Sequence, residues 1–380
     1  MGLWREWLGR SGVPGPLDRL LAARRVDRAT HAAVTAAARW APLVLEAVTG
    51  RAGPAGGVPL LDALRAANPA ELVACAALRE GRPGPDALGR KLERAIHALD
   101  GPGGRAVRHG VPRGFADALA AREGRSGPLD PWLEAQGAPA PLWVAPVDDA
   151  VAGELRAEGY RVQVVGSALA VTGPRGITTS AAYRAGRIEV QDLASQRCGA
   201  AAAPSPGQRV WDVCAGRGGK TVQLARALRG RGVVWATDVD PKKLDQLRLR
   251  VKRAGVADVV RIGAWDGERP PAFGPEARRG FDVVLVDAPC SSTGTWRRNP
   301  DAKLRVDPTS LAAHAPLQRK LLELGRAAVR PGGRLVYATC SFAPVEDEEV
   351  AETFPSPATM TLHGPPALDA DTLFVASWGG

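Results

Sequence analysis

Two cysteines lie in similar positions near the ends of predicted strands, and their type and spacing suggest covalent chemistry. Cys290 ends the run Asp287-Ala288-Pro289-Cys290, and Cys340 ends the run Tyr337-Ala338-Thr339-Cys340. A thiolate is a strong nucleophile, and a second group can act as the acid or base that completes the reaction. A single cysteine is more often a small buried apolar residue, but two in matching places favour a shared reactive site.

Methylation at carbon 5 of a cytosine is a reaction that needs such a pair. Carbon 5 is too weak a nucleophile until a thiolate adds to carbon 6, and a base must later remove the proton from carbon 5. Asp287 is close enough in sequence to Cys290 to hydrogen-bond the base and stabilise its developing charge. Lys220 is a candidate to lower the pKa of a nearby thiol.

A glycine-rich turn, Cys214-Ala215-Gly216-Arg217-Gly218-Gly219-Lys220, follows another predicted strand. Glycines let the backbone turn sharply and bring amide groups close to a ligand. Asp238 follows Gly216 by 22 residues and suits a ribose diol, and Asp266 is positioned to meet an adenine amino group. Thr221 replaces the third glycine of the dinucleotide fingerprint, which disfavours a nicotinamide-dependent oxidoreductase, and a P-loop needs more residues between its glycines. An adenosine-type cofactor is therefore predicted.

These residues sit on a predicted alternation of strands and helices. The strands are Arg209–Val213, Val233–Asp238, Val259–Ile262, Phe281–Val286 and Arg334–Ala338, and the helices are Lys220–Leu228, Pro241–Ala254 and Leu317–Val329. This pattern predicts a parallel, doubly wound sheet in an α/β protein, where ligands bind beyond the carboxyl ends of the strands. The candidate site residues follow such ends.

The preceding sequence divides into two further regions. Residues 1–127 are predicted to be helical, with helices over Ala32–Val48 and Ala70–Leu78 and a linker or exposed loop over Gly101–Gly114. Residues 128–195 are predicted to form a small α+β module, with strands at Leu142–Ala145, Arg161–Val165 and Ala168–Val171 and a helix at Asp148–Tyr160. Residues 196–380 form the predicted catalytic domain.

Composition narrows the class of protein. The 380 residues are 45% hydrophobic, carry a formal net charge of +10, and contain five cysteines without close pairing. We expect a cytoplasmic monomer without a membrane segment, a disulfide framework or a metal site. The positive charge favours contact with nucleic-acid phosphates, although an arginine-rich genome would give the same excess.

The chain resembles the Nop/Sun family of RNA cytosine-5 methyltransferases, which includes the bacterial 16S ribosomal RNA enzymes. The matching segments are Val190–Gln196, Asp212–Thr221, Thr237–Asp240, Asp287–Gly294, Arg297–Asp301 and Tyr337–Ser341. The Pro-Cys and Thr-Cys motifs are the specific part of this resemblance. It implies a Rossmann-like methyltransferase sheet that uses S-adenosylmethionine.

The resemblance also implies a role for each site residue. Cys340 would be the nucleophile, Cys290 would promote product release, and Asp287 would contact both cofactor and target base. The glycine turn would bind the methionine part of the cofactor, Asp238 its ribose and Asp266 its adenine. DNA cytosine methyltransferases use the Pro-Cys cysteine as nucleophile, so the order of the two roles comes from the resemblance and not from spacing.

The chain departs from the family pattern in three places. Arg217 stands where the family has proline in Ala-Ala-Pro-Gly-Gly-Lys, and Glu346-Asp347-Glu348 replaces Glu-Glu-Asn after the Thr-Cys motif. The early strand Leu142-Trp143-Val144-Ala145 lacks the Arg-Val-Asn that the family often has. The first change is expected to loosen the turn, and the third leaves the RNA contacts of the small module open.

The RNA substrate is less well defined by the sequence. The helical region is placed like the antiterminator-like RNA-binding extension of one bacterial ribosomal RNA branch, which favours 16S ribosomal RNA over transfer RNA. Arg297, Arg298 and the basic helix Lys242–Arg253 are candidates to hold the RNA backbone, although for the helix a solvated face is the favoured interpretation. An inactive RNA-binding assembly factor and a DNA enzyme are the alternative functions.

Overall fold

The protein is described here by a computed structural model, in which residues 2–9, 14–268, 271, 273, 279–355 and 359–379 are described. It divides into two compact units. The helical unit comprises residues 1–139 and 291–313, and the sheet unit comprises residues 140–290 and 314–380. The first unit therefore extends beyond the predicted boundary at residue 127 and includes a segment from much later in the sequence.

The first part of the helical unit is a series of helices, and those before residue 109 share one apolar core. They are α1 (Gly2–Leu8), α2 (Leu17–Ala23), α3 (Arg28–Thr49), α4 (Gly57–Ala66), α5 (Pro69–Arg79), α6 (Asp86–Ala98), α7 (Gly101–Arg108), α8 (Ala116–Ser126) and α9 (Asp130–Ala135). The side chain of Asp27 caps α3 by accepting from the Thr30 amide at 2.9 Å, and Gly50 ends the helix in the left-handed conformation. Trp4, Trp40 and Leu43 are buried in the core that forms around α3.

The predicted loop over Gly101–Gly114 is wrong for its first half, which forms α7. Glycine and proline disfavour helix in isolation, but Ala106 and Val107 bury their side chains in the unit. Arg108 donates to the Leu99 carbonyl at 2.7 Å. Tertiary burial thus overrides the local composition.

The sheet unit begins with the small α+β module. Its elements are β1 (Leu142–Pro146), α10 (Ala150–Ala157), β2 (Arg161–Val165), β3 (Ala168–Thr172), α11 (Ala181–Arg184) and β4 (Ile188–Val190). The four strands pair in the order β2-β3-β1-β4, and every pairing is antiparallel.

A seven-stranded sheet follows, as the prediction of a doubly wound fold requires. Its elements are α12 (Leu193–Ala202), β5 (Arg209–Asp212), α13 (Gly219–Ala227), β6 (Val233–Asp238), α14 (Pro241–Arg253), β7 (Val260–Ala264) and β8 (Phe281–Asp287). The segment that belongs to the helical unit contains α15 (Ala302–Arg305), and after it come α16 (Ala315–Ala328), β9 (Val329–Thr339), α17 (Glu348–Ala351), β10 (Thr359–His363) and β11 (Leu373–Trp378).

The strand order of this sheet is β10-β11-β9-β8-β5-β6-β7. Strands β5 to β9 are parallel, whereas β11 pairs antiparallel to β9 and β10 antiparallel to β11. Connections run in opposite directions on the two sides of β5 and β8, so a ligand crevice is expected beyond the carboxyl ends of these two strands. The helix α12 and the strands β10 and β11 were not predicted from the sequence.

The segment 291–313 folds with the helical unit. Its short helix α15 places Leu304 in the core of that unit. The ammonium of the buried Lys303 donates to the Arg39 carbonyl at 2.6 Å, and Asp301 accepts from the Leu17 amide at 3.1 Å. Burial, together with the charge of Arg39, lowers the pKa of Lys303 well below its usual range.

Among the described residues, the helices fall short of the length and apolar character that a membrane span requires.

Candidate functional site

The turn between β5 and α13 is shaped by two glycines in the left-handed region. Gly216 has a φ of 55° and Gly218 a φ of 86°. A side chain at Gly218 would meet the Leu247 side chain at 2.9 Å, whereas at Gly216 the nearest atom would lie 4.0 Å away. The backbone at Gly216 is therefore open to a closely approaching ligand. Arg217, between them, is exposed.

Asp238 lies at the end of β6 and is tied to this turn. One of its carboxylate oxygens accepts from the Gly216 amide and the other from the Asp240 amide, each at 2.9 Å. Each oxygen has two lone pairs, so acceptor capacity remains for a diol. The predicted contact between Asp238 and a ribose thus fits the geometry.

Asp266 follows the next strand, β7, and is exposed. It accepts from the Glu268 amide at 2.9 Å. The amide of the adjacent Trp265 donates to the Asp238 carbonyl at 3.1 Å, which holds the ends of β6 and β7 together. The two acidic side chains therefore follow neighbouring strands, as a ligand with separate ribose and amine groups would need.

Lys220 and Asp287 form an ion pair inside the site, with 2.9 Å between the ammonium nitrogen and a carboxylate oxygen. Lys220 is buried, and Asp287 is partly exposed at the end of β8. Burial by itself lowers the pKa of Lys220, but the charge of Asp287 and its hydrogen bond to the ammonium leave that pKa above its usual value. Lys220 is thus a fixed positive charge that acts on Cys340.

Cys290 and Cys340 lie together, with 3.3 Å between their sulfur atoms, and both are partly exposed. The pairing of β8 with β9 explains this proximity, because Asp287 is opposite Ala338 and the Ala288 amide donates to the Ala338 carbonyl at 2.9 Å. Two parallel strands that end side by side bring their following residues to the same edge. This site therefore holds two sulfurs within contact distance.

The other three thiols have pKa values that keep them protonated at neutral pH. Burial raises the pKa of Cys75 to about 11 and that of Cys198 to about 12. Burial, reinforced by the charges of Asp238 and Asp287, raises the pKa of Cys214 still further. A buried neutral thiol is a poor nucleophile, so Cys75 and Cys198 make suitable internal controls.

Three polar residues at the site were not predicted as functional. Asp212 is buried at the end of β5 and accepts from the Thr221 hydroxyl at 2.6 Å. Its burial raises its pKa to about 7 despite that hydrogen bond, and the charge of Asp287 acts in the same direction. Gln318 and Glu346 are buried behind the two cysteines. The sequence gives little indication that Gln318 and Glu346 are buried, because a polar residue on an amphipathic helix or in a loop is ordinarily exposed.

The arginines proposed to hold RNA are in different environments. Arg297 is 5% exposed and donates to the carbonyls of Ala138 and Pro139, each at 3.3 Å. Because its guanidinium is used within the helical unit, the predicted backbone contact by Arg297 is corrected to a structural role. Arg298 is exposed.

The basic residues of α14 likewise fall into two groups, one engaged in ion pairs and one exposed. Arg250 and Arg253 both bind the buried carboxylate of Glu189 on β4, Arg250 at 2.6 Å. Lys242 and Lys252 are exposed. The helix therefore joins the small module to the large sheet with part of its charge and leaves the rest at the surface.

The structure combines a Rossmann-like sheet of the kind found in methyltransferases with two adjacent motif cysteines. A sequence model of the family described as 16S rRNA methyltransferase RsmB/F matches residues 200–362. Over this region the chain is similar to that family, which confirms the resemblance found in the motifs. The predicted cofactor, S-adenosylmethionine, agrees with this match to a methyltransferase family.

Curated relatives match about half of the chain. Ribosomal RNA small subunit methyltransferase B of Salmonella arizonae is 36% identical over 197 residues, which cover 52% of this chain and 45% of that protein. The same enzyme of Salmonella paratyphi B is 35% identical over the same length. The chain thus spans about half the length of the curated relatives that it matches.

Solved structures match a larger part of the chain than the curated relatives do. The protein PH0851 matches with a TM-score of 0.74 and 23% identity, over 95% of this chain and 93% of that one. A methyltransferase homolog protein from Pyrococcus horikoshii matches with a TM-score of 0.59 and 27% identity, over 72% of this chain and 96% of that one. The predicted fold class is confirmed.

Proposed function

We propose that the protein transfers a methyl group from S-adenosylmethionine to carbon 5 of a cytosine in 16S ribosomal RNA. The observation that carries this proposal is the pair of sulfurs, 3.3 Å apart, beside the ion pair of Lys220 and Asp287. Two thiols in contact serve a reaction in which one adds to the base and another group completes the turnover.

In this proposal Cys340 is the nucleophile. Its thiolate adds to carbon 6 of the cytosine, and the electron pair of the former double bond becomes available at carbon 5. The positive charge of Lys220 favours the thiolate form of Cys340. Asp287 accepts from the exocyclic amine of the base, which holds the ring in place and stabilises the charge that develops on it.

Cys290 promotes release of the product. Once carbon 5 carries the methyl group, its proton passes to a base, the double bond between carbons 5 and 6 re-forms, and the Cys340 thiolate leaves. Cys290 is in contact with Cys340 and is therefore positioned to assist this step. The assignment of the nucleophile to the Thr-Cys motif follows the family resemblance, because the separation between the two sulfurs does not distinguish one cysteine from the other.

The cofactor pocket is proposed to consist of the turn Cys214–Lys220 together with Asp238 and Asp266. S-adenosylmethionine, when bound, supplies an electrophilic methyl group on a sulfonium sulfur. The open backbone at Gly216 supports close approach by the methionine part, and the two aspartates supply acceptors for ribose and adenine. Asp287 would face both cofactor and base from the end of β8.

Ribosomal RNA is proposed as the substrate on the basis of the family description and the curated relatives. The net charge of +10 supports binding to a phosphate backbone. Arg298 is proposed as an RNA contact because it is a cation at the surface, and the exposed lysines of α14 are further candidates. The target cytosine must leave its stack, which is easiest in single-stranded or bulged RNA.

A methyl-transfer assay tests the proposal. Protein and radiolabelled S-adenosylmethionine are incubated with unmodified 16S ribosomal RNA or with unmodified transfer RNA, and the products are digested to nucleosides. We expect label in 5-methylcytidine from ribosomal RNA, no label with Cys340→Ala, and full activity with the matched control Cys198→Ala.

Other outcomes of this assay have defined meanings. Label in transfer RNA alone would replace the proposed substrate. Label in another nucleoside would overturn the cytosine-5 chemistry. Cofactor binding without transfer to either RNA would favour an RNA-binding assembly factor.

A further inference from the structure

The loops that carry the two cysteines are connected by a buried polar pair in the sheet unit. Gln318 on α16 donates through its amide nitrogen to the Pro289 carbonyl at 3.0 Å and to the Glu346 carboxylate at 3.3 Å. The other carboxylate oxygen of Glu346 accepts from the Ser341 hydroxyl at 2.7 Å. Pro289 precedes Cys290 and Ser341 follows Cys340, so the pair links the immediate neighbours of both thiols.

Water cannot replace the hydrogen bonds of this pair, because both side chains are buried. Gln318 and Glu346 are both 0% exposed. A hydrogen bond to a buried charged group contributes more than a neutral one, and removing either partner leaves a buried group unsatisfied. Within the described part of the chain, the amide oxygen of Gln318 has no hydrogen-bond partner, so its amide nitrogen makes both contacts.

The surrounding contacts hold Glu346 itself in position. The buried hydroxyl of Tyr337 on β9 donates to the Glu346 backbone carbonyl at 2.6 Å, and Thr339 donates to the carboxylate of the next residue, Asp347. Ser341 also accepts from the Ala343 amide at 2.9 Å. The loop after Cys340 is therefore anchored to β9, and Gln318 extends that anchor to the other cysteine loop.

A purely structural reason for this arrangement is weak. A buried polar network costs desolvation, and apolar side chains of similar volume commonly fill such space with equal or better stability. What the polar pair supplies is direction, because hydrogen bonds fix the distance and angle between the groups they join. The feature that is fixed here is the register between Pro289 and Ser341.

We propose that Gln318 and Glu346 are positioning residues that hold Cys290 and Cys340 at their 3.3 Å separation. The proposal rests on the proposed two-cysteine function. Neither residue is assigned a contact with substrate. Displacement of a reacting group by about 1 Å can reduce a rate about 100-fold, so loss of the pair should lower kcat more than it changes KM.

Disulfide formation measures this separation without RNA. Diamide accepts two electrons and two protons from two thiols and becomes the hydrazine, while a sulfur–sulfur bond forms between Cys290 and Cys340. The full-length chain is treated at neutral pH, quenched with acid and analysed by peptide mass spectrometry. The high pKa values of Cys75 and Cys198 keep these thiols unreactive on this time scale.

The variants are Gln318→Met, which keeps a similar volume but loses both donated hydrogen bonds, and Glu346→Gln, which keeps an acceptor for Gln318. Glu323→Gln, on the exposed part of the same helix, is the matched control. We expect the disulfide to form about tenfold more slowly in Gln318→Met and with a smaller reduction in Glu346→Gln, while the control matches the wild type. In RNA methylation kcat should fall about 10- to 100-fold in Gln318→Met with KM within about twofold.

Two outcomes would overturn the proposal. One is disulfide formation in Gln318→Met at the wild-type rate. The other is equal loss of kcat with all three variants. If Gln318→Met does not give a cooperative unfolding transition, Glu346→Gln carries the same comparison, and a wild-type rate of disulfide formation in it together with unchanged kcat counts against the proposal. A chain that methylates no RNA, yet shows the expected disulfide rates, would contradict the proposed function and leave the positioning role standing.

Discussion

Replacing Asp212 by asparagine is expected to remove a pH-dependent loss of stability that the wild type undergoes between about pH 4 and pH 7. Burial raises the pKa of this carboxyl from 3.8 to about 7 in the folded protein. Between these two values the folded chain holds a proton that the unfolded chain releases. The associated stability is therefore complete below pH 3.8 and is lost as pH rises to about 7.

The magnitude follows from that difference. Each pKa unit corresponds to about 1.4 kcal/mol, so the full shift is worth about 4 kcal/mol and the slope is about 1.4 kcal/mol per pH unit. The Asp212→Asn side chain retains an oxygen that accepts from Thr221, which makes the variant close in shape to the wild type and free of titration. The wild type should thus lose roughly 2 kcal/mol relative to Asp212→Asn between about pH 5 and pH 7, because the carboxyl is half ionised at the upper limit.

Hydrogen exchange of peptides that cover β5 gives the free energy of opening of the sheet unit at each pH. The control is Asp258→Asn, since Asp258 is exposed. Its difference from the wild type should not depend on pH over the same range. A constant difference between wild type and Asp212→Asn across that range would refute the reasoning about the buried carboxyl.

Three further substitutions test the site. Gly218→Ala forces a side chain into the left-handed region and against α14, and it should weaken binding of S-adenosylhomocysteine at least about tenfold by calorimetry; unchanged affinity would contradict the role of the turn. Lys220→Met leaves Asp287 without its partner, and it should destabilise the sheet unit by about 2–3 kcal/mol and reduce methyl transfer at least about 100-fold; activity near that of the wild type would remove Lys220 from the mechanism. Arg298→Ala should weaken RNA binding several-fold and lower the Tm less than Arg297→Ala, which should lower it by several degrees; a larger fall in Tm with Arg298→Ala would contradict the structural role of the buried Arg297.

Much of the large sheet is predictable because its strands are short apolar runs between turns. The run Phe281–Val286 is observed as Phe281–Asp287, and Val233–Asp238 has the predicted bounds. The strands Thr359–His363 and Leu373–Trp378 were missed, because the first is polar and half-exposed and depends on pairing with the second. Their antiparallel addition at the edge is a tertiary effect.

The association of residues 291–313 with the helical unit could not be predicted from local pattern. Leu304 and the buried Lys303 gain partners from helices that lie far away in the sequence. The same limit applies to Arg297, whose charge suggested an exposed contact although its partners are backbone carbonyls. Sequence shows the charge of a residue and leaves its partner undetermined.

The two cysteines of the candidate site were more predictable from the sequence than the residues that are proposed to hold them in position. Cys290 and Cys340 follow parallel strands, and the geometry of parallel sheets brings such residues to one edge. Gln318 and Glu346 reach that edge through packing of α16 and a later loop, which no spacing in the sequence indicates. Their role is visible only in the hydrogen bonds that they make.

Covalent trapping of RNA tests the central claim most directly. Cys290→Ala and Cys340→Ala are each incubated with S-adenosylmethionine and unmodified ribosomal RNA, and protein–RNA adducts are separated on a denaturing gel. We predict an adduct with Cys290→Ala, where the nucleophile is present but release is impaired, and none with Cys340→Ala. An adduct that forms only with Cys340→Ala would reverse the two roles, and no adduct with either variant, despite bound cofactor, would contradict the two-cysteine mechanism.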